Sequence, residues 1–380
     1  MASDWANSEN TKPLTTPKKN APNIKGFGPA TITPKKQQQR IEHKYHIEFI
    51  RNPYGHGRKT IVRKCIERKT GKRFAVKTVR KKDKEEYRQL IKEANFLKEL
   101  DHPTIVKIKD LYENENYLHM VVDRCNGGDL YDRVVGKAQG NKRMQYDESE
   151  AATIVRKVVD AVAYLHANDI AHRDLTLENI MFQRKQGKQA SEFDVRLVDF
   201  GLSKKMKPDK NGGAMPKSTT FVGTNYYIAP EVLQRGHTNA CDIWSIGVLT
   251  YALISTKPPF GGTTDEEIYY NILHCDETGV QFPSPEWDGV SENAKDFIRD
   301  LLKKDETQRP TATQLTTHPW LESSLFEKSA ASSIDKSHYV SPLLQKYMYL
   351  RGEVFGTNLG VETAPTFNSD FNSEQLPEIS

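Results

Sequence analysis

The stretch AHRDLTLENIMF (171–182), followed by VRLVDFG (195–201), sets Asp174 and Asn179 five positions apart on one loop and ends an apolar, strand-like run at Asp199. A carboxylate and a carboxamide so spaced offer, from one turn, a proton acceptor and an oxygen ligand for a metal ion. Asp199 offers a second oxygen ligand, and Phe200 and Gly201 let the chain turn away from it. Upstream, Gly55 and Gly57 stand between two strand signals, where backbone without side chains can approach phosphate closely. FAVK (74–77) ends an alternating strand in a cation, Lys77. Glu93 lies on the face of the next helical pattern that meets the sheet, where its carboxylate can hold that lysine. Phosphoryl transfer needs a clamped triphosphate, a neutralising metal and an aligned acceptor hydroxyl, and little covalent help. Each residue alone has a plainer reading, as a loop glycine, a solvated lysine or a surface glutamate; the ordered combination carries the weight.

The pattern around these residues divides the chain. From 45 to 122 apolar residues fall in short alternating runs, 46–50, 59–63, 73–79, 105–111 and 118–122. One interruption, at 81–100, has Tyr87, Leu90, Ile91, Ala94, Leu97 and Leu100 at helical spacing. Beyond Gly127 and Gly128 the pattern turns helical, notably at 149–167 and 238–255. The expectation is an α+β fold: a strand-rich lobe with one helix (45–122), a connection (123–126) and a larger helical lobe (127–321). Residues 1–44, with eight Lys/Arg against three Asp/Glu and almost no apolar periodicity, read as a disordered basic tail. Lys18, Lys19, Lys35 and Lys36 in it read either as solvated charge or as a localisation or docking arm. Residues 322–380, with eight Asp/Glu against four Lys/Arg, read as a polar acidic tail.

A chain of 380 residues, 37 % of them hydrophobic, is long enough for one two-lobed domain with tails. Its formal charge of +5 is too small to mark a nucleic-acid binder or a membrane-surface protein. Cys65, Cys125, Cys241 and Cys275 are scattered without CxxC spacing, which argues against a zinc cluster or a disulfide framework and fits a reducing compartment. No run approaches the roughly 18 apolar residues of a membrane span. The first residues lack an apolar signal region and Ala2 removes a myristoylation site, so an intracellular location, cytoplasmic or nuclear, is expected.

Taken in order, GxG (55–57), FAVK (74–77), HRDxxxxN (172–179), DFG (199–201), GTNYYIAPE (223–231), DIWSIGV (242–248) and Arg309 with Pro310 resemble the eukaryotic protein kinase family over about 45–321. The resemblance implies a two-lobed kinase fold that moves the γ-phosphoryl group of Mg-ATP to Ser or Thr hydroxyls of proteins. It implies Asp174 as catalytic base, Lys77 as the phosphate-binding lysine held by Glu93, and Asn179 and Asp199 as ligands of Mg²⁺. The segment Tyr54, Gly55, His56, Gly57, Arg58, Lys59, Thr60, Ile61 and Val62 would cover the nucleotide. Tyr54, Val62 and Ala75 would lie above the adenine, Met181 below it, and backbone groups of Asp123 and Cys125 at its edge, with Val122 guarding the back pocket. Glu231 would pair with Arg309, and Asp242 would hold the backbone at His172 and Arg173.

No AAR or RAA element follows HRDL and no tryptophan precedes APE, the marks of tyrosine-specific relatives, so Ser/Thr acceptors are implied. GGDLYDRV (127–134), DFGLSKK (199–205) and STKPPFGG (255–262) look most like the calcium/calmodulin-dependent and calcium-dependent kinase group. Asp129 and Glu178 match acidic positions that hold an arginine upstream of the acceptor, so an Arg-x-x-Ser/Thr preference is expected. Arg173 before the base, and Thr220 three residues before Gly223, imply a loop switched by phosphate from an upstream kinase, with Ser218 and Thr219 as alternative sites. No EF-hand run is present, so built-in calcium sensing is not expected. At 338–354, Val340, Leu343, Leu344, Tyr347, Met348 and Leu350 with Lys346 and Arg351 form an amphipathic pattern. It reads either as a helix packing on the domain or as an autoinhibitory or calmodulin-binding element.

The chain departs from the family in places. Thr176 and Leu177 stand where relatives have lysine and proline. Losing a cation that steadies the transferred phosphate predicts a reduced rate or compensation, for which Arg58 and Lys59 are candidates. Thr60 replaces the third loop glycine, Lys59 replaces its aromatic neighbour, and 136–145 reads as a surface insertion. The alternative to an active enzyme is a pseudokinase, a nucleotide-binding scaffold without transfer. The joint presence of Lys77, Glu93, Asp174, Asn179 and Asp199 argues against it.

Overall fold

The computed structural model describes residues 40–48, 60–138, 146–184, 193–206, 225–234, 236 and 238–323. Alternating runs in the first part of these pair as strands, because alternation gives each face of a sheet its own set of side chains. β1 (Tyr45–Ile47), β2 (Ile61–Glu67), β3 (Arg73–Arg80), β4 (Ile108–Glu113) and β5 (Tyr117–Asp123) form one antiparallel sheet in the order β1-β2-β3-β5-β4. Ahead of it lies a single helical turn, α1 (Ile41–Lys44), and between β3 and β4 runs α2 (Lys84–Glu99). Of the buried residues of α2, Leu90, Glu93, Ala94 and Leu97 recur at three and four, with Phe96 buried beside them, and the helix packs on β3, β4 and β5. Glu85 and Glu86 in its first turn and Lys98 in its last complement the helix dipole.

Two boundaries differ from the sequence reading. The segment 40–44, assigned to a disordered tail, is part of the small lobe. Ile41 is buried with Tyr45, Cys65, Phe74, Val76 and Val121 on the sheet face opposite α2. Tyr45 donates its hydroxyl to Asp110, and Lys44 Nζ lies 2.8 Å from the same carboxylate. Four residues are too few to show a period, so this apolar partner was not legible. β4 starts at Ile108 rather than at 105 because Ile105 bridges to Leu197 of the large lobe instead.

The large lobe contains α3 (Leu130–Ala138), α4 (Glu148–Ala167), α5 (Pro230–Leu233), α6 (Ala240–Ser255), α7 (Asp265–Leu273), α8 (Cys275–Thr278), α9 (Glu292–Leu301), α10 (Ala312–Leu315) and α11 (Pro319–Ser323). Short strands β6 (Ile170–Ala171), β7 (Ile180–Phe182), β8 (Val195–Leu197) and β9 (Lys204–Lys205) pair as β6 with β9 and β7 with β8. Asp147 and Glu150 form a capping box that starts α4. Residues 241–255 of α6 are all buried, as expected of a helix apolar on every side, and α4 and α9 pack against it. Gly247 allows the approach of the second: a Cβ there would lie 2.8 Å from Leu302 Cδ2 and 2.9 Å from Leu301 Cβ. The lobes are tied where Tyr164 of α4 accepts the amide of Asp101 at 3.0 Å and stacks on His102.

The expected insertion at 136–145 begins as the last turn of α3, and the rest of it lies outside the described residues. So do the tail 324–380 with the amphipathic pattern at 338–354, and Ser218, Thr219 and Thr220. Among the described residues no helix is long and apolar enough to cross a membrane.

Candidate active site

Alternation along β3 turns Lys77 toward α2, and helical spacing turns Glu93 toward the sheet. Lys77 Nζ lies 2.6 Å from Glu93 Oε1 and 3.6 Å from Asp199 Oδ2. Burial pushes the Glu93 carboxyl above the ordinary carboxylate range, and the charge of Lys77 pulls against it. Removing Lys77 would strand the Glu93 carboxylate in a medium of low dielectric, whereas Lys77 without Glu93 keeps Asp199 beside it.

Asp199 has φ +66° and Arg173 φ +68°. Side-chain-bearing residues in the left-handed region cost about 1 kcal/mol or more each and persist where their surroundings dictate it. For Arg173 the surroundings include Asp242 on the fully buried α6. Asp242 accepts the amides of His172 and Arg173 at 2.8 Å each, and His166 Nε2 at 2.9 Å. Burial opposes ionisation of Asp242, but the His166 hydrogen bond and the neighbouring imidazoles outweigh it and hold the carboxyl below its usual range. The expected support of the loop by Asp242 is therefore formed, and so is the Glu231–Arg309 pair, at 2.8 Å.

Asn179 donates Nδ2 to Asp174 at the backbone oxygen and at Oδ2, both at 2.9 Å. This orients the carboxylate and leaves the amide oxygen Oδ1 as a ligand. Val198 donates to Asn179 O at 2.9 Å, so the strand before Asp199 runs beside this loop. Gly201 caps Asp199 Oδ1 at 3.2 Å, and the buried Phe200 meets the His172 ring edge-on at 4.8 Å. Asn179 and Asp199 are hard oxygen donors, and Mg²⁺ takes one or two such ligands from protein when phosphates and water supply the rest, so the set fits that ion. Among the described residues no group of three or more His, Cys, Asp or Glu could hold a metal ion.

The remaining assigned residues divide. Tyr54, Gly55, His56, Gly57, Arg58 and Lys59 lie outside the described residues. Thr60 leads into β2, where Val62 pairs with Lys77, and Ala75 pairs with the buried Val122. Asp123 donates its amide to Lys107 O at 2.9 Å. Cys125 is half-buried, and burial pushes its thiol up to about 11. Met181 sits on β7 in a bridge with Asp129. Asp129 Oδ1 accepts the amide of Asp132 at 2.6 Å, capping α3. Glu178 differs: its Oε2 is buried and has no hydrogen-bond partner among the described residues. Thr176 is 2 % exposed.

Sequence reasoning missed two lysines. Burial lowers the Lys92 ammonium, and the positive charges of Arg173 and Lys204 lower it further. Lys204 stands in the quoted DFGLSKK, so a signal existed; Lys92 carried none, because one more lysine on a helix rich in lysine marks nothing.

A family model described as the protein kinase domain matches residues 50–321. Myosin light chain kinase A of Dictyostelium discoideum is 38 % identical over 280 residues, 73 % of this chain and 88 % of that protein. Calcium-dependent protein kinase 25 of Arabidopsis thaliana is 36 % identical over 271 residues, 70 % of this chain and 48 % of that protein. Calcium-dependent protein kinase 1 of the same plant is 37 % identical over 264 residues, 68 % of this chain and 40 % of that protein. The match thus spans most of the first relative and less than half of the two plant proteins.

Proposed function

We propose, for a chain that belongs to the protein kinase family and carries an ATP- and Mg²⁺-dependent serine/threonine kinase domain, that it favours acceptors with an upstream arginine and is activated by phosphate on Thr220. Lys77, held by Glu93, binds the α- and β-phosphates. Asn179 and Asp199 would hold Mg²⁺, which would neutralise charge on the phosphates. Asp174 takes the proton of the acceptor hydroxyl as that oxygen bonds to the γ-phosphorus; the bond from phosphorus to the bridging oxygen breaks and ADP leaves. The observation that carries this reading is Lys77 in reach of Glu93 and Asp199 at once, the clamp and metal ligand assembled together.

The arginine preference is supported by Glu178. A buried carboxylate oxygen without a partner is costly, and a substrate guanidinium would satisfy it with a charge-assisted bond. Asp129 contributes charge, but its Oδ1 is engaged at the start of α3. Activation at Thr220 is supported by Arg173, the cation immediately before Asp174, whose guanidinium is suited to a charge-assisted bond with phosphate. Regulation by calmodulin would fall to 338–354, whose weak basicity fits packing on the domain better; activity that rises on titration with calcium-loaded calmodulin would reverse this preference.

The test is γ-phosphate transfer to an arginine-bearing Ser/Thr peptide by phosphorylated wild type and Asp174→Asn. A rate about 10²–10⁴-fold lower in the variant is expected. Wild type that binds Mg-ATP and transfers nothing would make the chain a scaffold.

A further inference from the structure

The connection between the lobes presses on the floor of the nucleotide cleft at Gly127. Gly127 donates to Phe182 O at 3.0 Å, Phe182 to Gly128 O at 2.9 Å, and Asn126 to Gln183 O at 3.2 Å. A Cβ on Gly127 would lie 2.5 Å from Phe182 Cβ and 2.2 Å from Arg184 O, an approach that only glycine permits. Onto this junction α3 lays one side chain. Arg133 donates Nε and Nη2 to the Gly127 carbonyl at 3.3 and 3.2 Å, and its guanidinium carbon stands 3.2 Å from the centroid of the Phe182 ring.

One planar group thus holds the connection by its edge and β7 by its face, which a guanidinium can do and an ammonium cannot. Successive residues on a strand point to opposite sides, so Phe182, the ring under Arg133, backs onto Met181. Gly127 follows Cys125 by two residues. The bridge between Asp129 and Met181, and the cap that Asp129 gives α3, bring this helix into register with β7.

We infer that Arg133 is a positioning residue for the nucleotide. It fixes the distance between the backbone at 123–125 and Met181, and with it the height of the slot that takes adenine. The inference rests on reading those groups as the edge and underside of the adenine site.

Adenosine, which has no phosphates, is the probe, titrated calorimetrically into the full chain. Arg133→Ala should weaken adenosine about tenfold and raise KM for ATP by a similar factor, with kcat at saturating ATP and KM for peptide moving less than about twofold. Arg133→Lys should recover little. Phe182→Leu keeps the apolar bulk without the ring, should shift binding the same way, and serves if Arg133→Ala does not fold. Adenosine binding unchanged in folded Arg133→Ala or Phe182→Leu overturns the inference, as does a fall in kcat with KM for ATP intact. Ala75→Trp, which fills the slot from the other side, separates the two readings. If it abolishes adenosine binding while the Arg133 variants leave it alone, only the role of Arg133 is lost; if it too has no effect, the adenine site itself is misplaced and the inference goes with it.

Discussion

Arg309 grips Glu231 with both terminal nitrogens, Nη1 to Oε1 and Nη2 to Oε2, at 2.8 Å each. It also donates Nε to Lys303 O at 2.8 Å and lies 5.1 Å from the Trp244 ring centroid. Its side chain is wholly buried, so Glu231→Ala leaves a guanidinium without its counter-charge. The expected cost is about 3–5 kcal/mol, read as a lower urea midpoint with an unchanged slope. Arg309→Lys should recover little, because an ammonium cannot reproduce the fork. A loss below about 1 kcal/mol for Glu231→Ala would mark the pair as an ordinary surface bridge.

Glu93→Gln separates chemistry from stability. Since burial pushes this carboxyl up, the neutral isostere should leave thermal stability unchanged or raised. Lys77 would then lose the charge that aims it, and kcat should fall about 10²-fold, as for a misplaced clamp. Equal losses of folding and rate would contradict this.

Mild acid should weaken the fold through its buried histidines. His102, His119, His172 and His318 are all lowered from the ordinary histidine value, chiefly because burial penalises the charged ring. With native pKa below the unfolded value of 6.5, the unfolded chain binds more protons, so this stability is complete above pH 6.5 and is lost as pH falls below it. Each histidine contributes a slope of at most about 1.4 kcal/mol per pH unit. Urea midpoints measured from pH 7.5 down to 5.5 should therefore decline; a flat or rising series would sink the assignment.

Thr176→Lys introduces a cation at the position where the kinase resemblance implies one beside the transferred phosphate. A rise in kcat of about tenfold is expected, since fixed charge near the developing phosphate charge acts chiefly in the transition state. An unchanged rate would show that another cation already serves there, and Arg58→Ala and Lys59→Ala would then be assayed for it.

The sheet strands, α2 and α4 were legible from their alternating or helical spacing, and α6 from the length of its largely apolar run. Lys77, Glu93, Asp174, Asn179 and Asp199 were legible as an ordered set. What the sequence hid depends on contacts between distant segments. Ile41 needed the outer face of a sheet to pack on, and Ile105 left its own strand to bridge Leu197. Arg133 looks in sequence like any helical cation until Gly127 and Phe182 are brought beneath it. The buried oxygen of Glu178 is likewise a property of its surroundings, and spacing along the chain cannot report it.

The catalytic loop hangs by Asp242 from a helix with no exposed face, whereas Lys77 and Glu93 ride on a sheet and helix that border solvent. Random variation should therefore sort into two phenotypes. Changes beneath the loop would show as loss of soluble protein, since α6 cannot shift without disturbing α4 and α9. Changes above it would show as altered rate in protein that still accumulates, and that upper half is where evolution or a regulator can retune the enzyme without endangering its yield.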